Sequence, residues 1–167
     1  MRRILIGFVG LAVASIAAES RLSGQQQSAS LTVSATVSKN CTISTAPVNF
    51  GAYDPVAANA TAHLDAIGTI TVTCTKGAAA KVGLNAGANA AGTTRQMLGG
   101  TSEHLTYELY KDSSRANVWG NTDADSLDIG PAPNRNPRDF PVYGRVAAAQ
   151  DATVGTYTDT VLATVNF

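Results

Sequence analysis

Polar and apolar residues alternate with a period of two along several stretches of this chain. In 29–37, Ala29, Leu31, Val33, Ala35 and Val37 take one parity and Ser or Thr fills every place between them. In the last run, Val161, Ala163, Val165 and Phe167 share one parity, and Thr158, Thr160, Thr164 and Asn166 share the other. Leu162 is the one apolar residue on the polar side. Ile70, Val72 and Cys74 align in "GTITVTC", and Leu105, Tyr107 and Leu109 in "HLTYELYKD". This is the period of a half-buried strand. "PVNFGAYDP", "AKVGLNA" and "FPVYGRVAAA" read as further strands, and "VWGN" as a segment that pairs nearby. Residues 86–102 are rich in Gly, Ala, Asn and Thr and read as loop; 121–139 lack a pattern. Gly, Pro, Asn and Asp between the runs supply turns through their φ preferences and local side-chain hydrogen bonds. About seven or eight short strands, with no amphipathic helix after residue 17, predict an antiparallel β-sandwich of immunoglobulin-like type.

The N-terminus departs from this pattern. Met1-Arg2-Arg3 is positive, Ile4 to Ile16 is apolar, and Ser15 and Ala17 are small. This is the form of a secretory signal over 1–17, with the mature chain starting near Ala18. The apolar stretch is short against the ~20 residues that a bilayer-spanning helix needs. Residues 18–30 are mostly polar and read as a flexible leader, and 31–167 as the sandwich domain. The chain has 12 Lys and Arg and 12 Asp and Glu. Loss of Arg2 and Arg3 leaves the mature chain close to neutral, without the basic field that nucleic acid or anionic lipid requires. Two cysteines in an exported chain, Cys41 and Cys74, predict one disulfide.

Chemistry is sparse. No nucleophile elbow and no phosphate-cradling glycine loop is present, and no cofactor or metal is expected. His63 and His104 lie apart, in polar surroundings. Asn121, Asp123 and Asp125 have EF-hand-like offsets, but Ser126 and Ala132 stand where the loop needs Gly and Glu. They read as a solvated loop. Trp119 is either a core anchor or a carbohydrate-stacking residue, the core being the commoner use. Lys111 and Asp112 read as a hairpin turn. None of this describes an enzyme.

A strand problem remains at both ends. The leader carries an alternating segment with a flexible run before it, and the last alternating run stops at Phe167. A sandwich ending on such a strand leaves an edge that something must cover. One filler is the leader of another copy, inserted as a strand: backbone pairing gives affinity, and Leu31, Val33, Ala35 and Val37 fill successive pockets. Head-to-tail use of that contact does not close and builds a fibre. The other reading is a leader that forms the first strand of its own sandwich. Alternation alone does not choose between them.

"GTITVTCTKG", "LTYELYKDSSRANVWGN", "FPVYGRVAAAQ" and "VGTYTDTVLATVNF" together resemble the spore coat protein U domain family, which includes the major pilin subunits of archaic, Csu-type chaperone–usher fimbriae. The likeness runs from about Leu31 to Phe167. It implies an incomplete immunoglobulin-like sandwich that lacks its seventh strand and is completed by a donor strand, with a disulfide between Cys41 and Cys74. It also implies a periplasmic chaperone that pairs with the C-terminal strand, where Val161, Ala163, Val165 and Phe167 line the groove. An outer-membrane usher would then exchange the chaperone's strand for the N-terminal strand of the next copy or of a related pilin. The donor lies in 29–37 or, if Leu31–Val37 is the subunit's own first strand, in 22–30. The expected function is a structural subunit exported through the periplasm to the cell-surface fimbrium, serving adhesion and biofilm formation. The alternative is a secreted monomeric coat or matrix protein with a self-complete sandwich. A carbohydrate-binding module using Trp119 and neighbouring tyrosines is a third expectation.

Overall fold

A computed structural model describes residues 24–100 and 102–167; the expected signal segment lies outside the described residues. The chain falls into two units, Met1–Ala35 and Thr36–Phe167. In the first, residues 24–35 form no strand. The second holds nine strands and, among the described residues, no helix. They are β1 (Cys41–Ala46), β2 (Leu64–Cys74), β3 (Ala79–Leu84), β4 (Gln96–Gly99), β5 (Glu103–Tyr110), β6 (Leu127–Pro131), β7 (Arg138–Val146), β8 (Tyr157–Thr158) and β9 (Ala163–Asn166).

These strands form two sheets in which every pairing is antiparallel. One has the order β1-β2-β7-β5-β4-β8 and the other β6-β3-β9. The protein is an all-β sandwich. β2 has the sequence to be central: Ile70, Val72 and Cys74 turn inward and are buried, while Thr69, Thr71 and Thr73 face outward. The core joins Ile70, Val72, Leu105, Leu109, Val142 and Val146 of the larger sheet to Val82, Leu84 and Ile129 of the smaller. Full burial of one such side chain stabilises by roughly 1.5–3 kcal/mol. Trp119 has no exposed surface, and its indole N–H donates to the Val82 carbonyl at 2.8 Å. That placement makes it a core anchor and removes the carbohydrate-stacking reading.

Several strand expectations need correction. Leu31–Val37 forms no strand, and Leu31, Val33 and Val37 are 88%, 85% and 82% exposed. The alternation is there, but a strand also needs a hydrogen-bonding neighbour. "PVNFGAYDP" is not a strand either. Pro47 has no N–H to give a ladder, and the Asn49 side chain accepts the Gly51 N–H at 3.0 Å in a local turn with Gly51 at φ 74°. The loop expected over 86–102 contains β4, and 121–139 contains β6, whose Gly130 and Pro131 masked its pattern. The last run is two strands, with β8 pairing β4 and β9 pairing β3.

Cys41 and Cys74 stand directly opposite in the β1–β2 register and are joined by a disulfide. The bond ties down the strand that follows the leader. A Cys41→Ser, Cys74→Ser double variant is expected to lose about 4 kcal/mol, the chain-entropy value for a loop of this length. Urea unfolding with the disulfide intact and absent measures the difference; equal midpoints would contradict it.

Candidate functional site

The space over the inner face of the six-stranded sheet is not fully filled. An open cavity of about 970 Å³ lies over it. Its floor is Ile70, Leu105, Tyr107, Leu109, Val142 and Val146, with Leu84 from the smaller sheet. Three edge strands reach the lining: β1 through Thr45 and Ala46, β8 through Tyr157 and Thr158, and β9 through Ala163. Among the described residues, β1 pairs only with β2, β8 only with β4 and β9 only with β3. The site is thus an apolar groove with unpaired edge strands from both sheets.

One wall is the segment after β1. Val48 and Phe50 turn inward as they would in a strand, and both pack against the core. They rest over two glycines. A β-carbon on Gly144 would lie 2.7 Å from both Val48 and Phe50, and one on Gly68 would lie 2.7 Å from Val48. Only glycine fits these places, because a side chain would fill the space the wall occupies. Phe50 meets Tyr107 edge-on, with ring centroids 6.2 Å apart. The opposite wall runs from Ala152 to Val161.

The chain matches the model of the Spore Coat Protein U domain over residues 27–164. It is a member of the Spore Coat Protein U domain family. It is 36% identical to Protein U of Myxococcus xanthus over 173 aligned residues, which cover 93% of each chain. Among solved structures it resembles a chain of the chaperone–tip adhesion subunit pre-assembly complex from archaic chaperone–usher Csu pili of Acinetobacter baumannii. That likeness has a TM-score of 0.58 and 25% identity, and covers 79% of this chain and 41% of the other. The chain therefore spans less than half the length of that structural relative.

Within this Spore Coat Protein U domain, the anticipated residues fall in different places. Val161 and Ala163 line the groove; Val165 packs against the core outside it, and Phe167 is 51% exposed. Leu31, Val33, Ala35 and Val37 are exposed. His63 accepts the Ala148 N–H through Nδ1, and His104 faces outward on β5. Asp123 pairs with Lys81, and Asp125 accepts from the Thr122 hydroxyl. Among the described residues, no group of three His, Cys, Asp or Glu is placed to hold a metal.

Sequence reasoning missed the polar groups behind the groove. Arg95 is 3% exposed and ion-paired with Glu108. Its Nη2 donates to the carbonyls of Leu84, Asn85 and Trp119 at 3.0, 2.8 and 2.7 Å. Tyr107, from the floor, donates its hydroxyl to Asp159 at 2.7 Å. Burial pushes the Tyr107 phenol well above its ordinary value, and the hydrogen bond to Asp159 adds to this. The strand glycines at 68 and 144 were the available signal for the wall; no local pattern marks Arg95.

Three outcomes follow from this geometry. Gly144→Val is expected to displace Val48 and Phe50 and destabilise by about 1–3 kcal/mol, as overpacking does; an unchanged melting temperature would count against the wall's fit. Arg95→Met leaves three carbonyls without their buried donor and is expected to cost about 3 kcal/mol or more, read by urea unfolding. The raised phenol gives a stabilisation that is complete below about pH 10 and lost as pH rises toward the folded value. Tyr107→Phe should therefore flatten the alkaline fall in stability, measured by denaturation at a series of pH values.

Proposed function

We propose that this chain is an exported structural fimbrial subunit that polymerises head-to-tail by donor-strand complementation. The observation that carries the reading is the groove, about 970 Å³ of open space over an apolar floor with unpaired edge strands from both sheets. The leader is its complement. It alternates Ala29, Leu31, Val33, Ala35 and Val37 with Ser and Thr, and residues 24–40 form no strand. Inserted beside β9, such a segment gains backbone hydrogen bonds and buries one apolar face. The likeness to a chaperone–subunit complex from Csu pili supports a periplasmic chaperone that fills the groove first, and an usher at which the next copy or a related pilin replaces it. Surface attachment and biofilm formation are the roles this assembly would serve. Among the described residues, no helix is long and apolar enough to cross a membrane.

The family's description as a spore coat domain suggests a second reading, a secreted coat or matrix protein with a self-complete sandwich. The unfilled groove weighs against a self-complete sandwich.

Material sheared from the cell surface and run unheated on an SDS gel is expected to give a ladder that collapses to one band on boiling. A single band in both lanes, with the protein exported, would favour the coat reading. A Val33→Asp, Val37→Asp double variant is expected to be exported without forming polymer, because each insertion would bury an unpaired carboxylate. Normal fibres from it would place the donor in 22–30 instead.

A further inference from the structure

The terminal run has one charged side chain on its apolar parity. Tyr157, Val161, Ala163, Val165 and Phe167 share that parity, and so does Asp159. In a straight strand lying over the core, this carboxylate would face inward, and an unpaired carboxylate there is costly. The chain turns at this point instead, leaving β4 after Thr158 and joining β3 at Ala163.

The turn is held by side chains from other elements. The Asp159 carboxylate accepts the Tyr107 hydroxyl at 2.7 Å, the Asn89 backbone and side-chain N–H groups at 3.1 and 3.0 Å, and the Thr160 N–H at 2.8 Å. The loop that carries Asn89 also grips the residues after the turn. The Ala88 N–H donates to Thr160 at 3.0 Å, the Asn85 N–H to Leu162 at 3.1 Å, and the Leu162 N–H to the Asn85 side chain at 2.9 Å. Gly87, at φ 97°, lies so close that a β-carbon would collide with the Asp159 carboxylate. Arg95 holds the Asn85 carbonyl from beneath.

We propose that Asp159 is a positioning residue: it turns the C-terminal run out of the larger sheet into the smaller one, and so holds the β9 edge of the groove ready for a strand from a second copy. Four donors and no cation satisfy the carboxylate, so it is stable only where Tyr107 and Asn89 converge. Without that anchor the run has a competing course, straight on along β4, which keeps its alternation and strips β3 of one of its two partners. The turn rests on the geometry alone; the identity of the occupant rests on the strand-donation reading.

The test uses the full chain with its disulfide, comparing wild type with Asp159→Asn and Tyr107→Phe. Amide hydrogen exchange is read over 161–167 and over β2 and β7, and affinity is measured for a labelled synthetic peptide of residues 27–40. Asp159→Asn is expected to speed exchange about tenfold or more in 161–167, with β2 and β7 unchanged, and to weaken peptide capture by a similar factor. Tyr107→Phe, which removes one donor, should shift both readouts the same way by less, and it carries the comparison if Asp159→Asn does not fold. Equal acceleration in all strands, or none in 161–167, would overturn the role of Asp159 in the turn. Unchanged peptide affinity in a variant with locally loosened β9 would overturn its role in the groove. If wild type captures no peptide but exchange rises selectively, the turn stands and the strand-donation reading falls.

Discussion

The structure depends on one groove left unfilled over its core. The floor of Ile70, Leu105, Tyr107, Leu109, Val142 and Val146 is core in composition, yet an open cavity lies above it. Apolar area is stable when it is out of water, and a sheet edge is stable when its N–H and C=O groups are paired. Here the floor side chains are 8% exposed or less, but the cavity above them is unfilled and β1 and β9 leave unpaired edges beside it. A strand with one apolar face would fill the one and pair the other, which is the physical ground of the strand donation proposed above.

The groove keeps its shape because its walls are fastened from behind. Val48 and Phe50 are seated over Gly68 and Gly144 without strand pairing, so that wall is held by packing rather than by a ladder. The other wall is held by polar contacts: Tyr107 and Asn89 on Asp159, Asn85 on Leu162, and Arg95 on the carbonyls of Leu84, Asn85 and Trp119. A buried cation among carbonyls is specific as well as strong, because any shift leaves an unpaired group. The disulfide completes the frame by joining the start of β1 to the end of β2. The remainder of the fold is an ordinary sandwich, and its two layers carry few large aromatics beyond Trp119 and Tyr107 in the buried core.

Local pattern determined a good deal by itself. The inward faces of β2 and β5 were readable because each strand has one wet face and one dry face, and period-two alternation records that directly. The all-β class came from the same alternation and from residue types. Tertiary structure decided the rest. The leader and "PVNFGAYDP" carry strand alternation but no strand, because alternation records a face and not a partner. β4 and β6 are short and glycine-bounded, so pairing rather than pattern makes them strands. "GTYTDTVLATVNF" reads as one strand and folds as two, because Asp159 finds its donors on residues 52 and 70 positions away in the chain. Arg95 likewise looks like a surface arginine until β3, β5 and Trp119 close around it. Side-chain polarity sets which face is buried; long-range hydrogen bonds, invisible to local pattern, set where a strand ends and which sheet it joins.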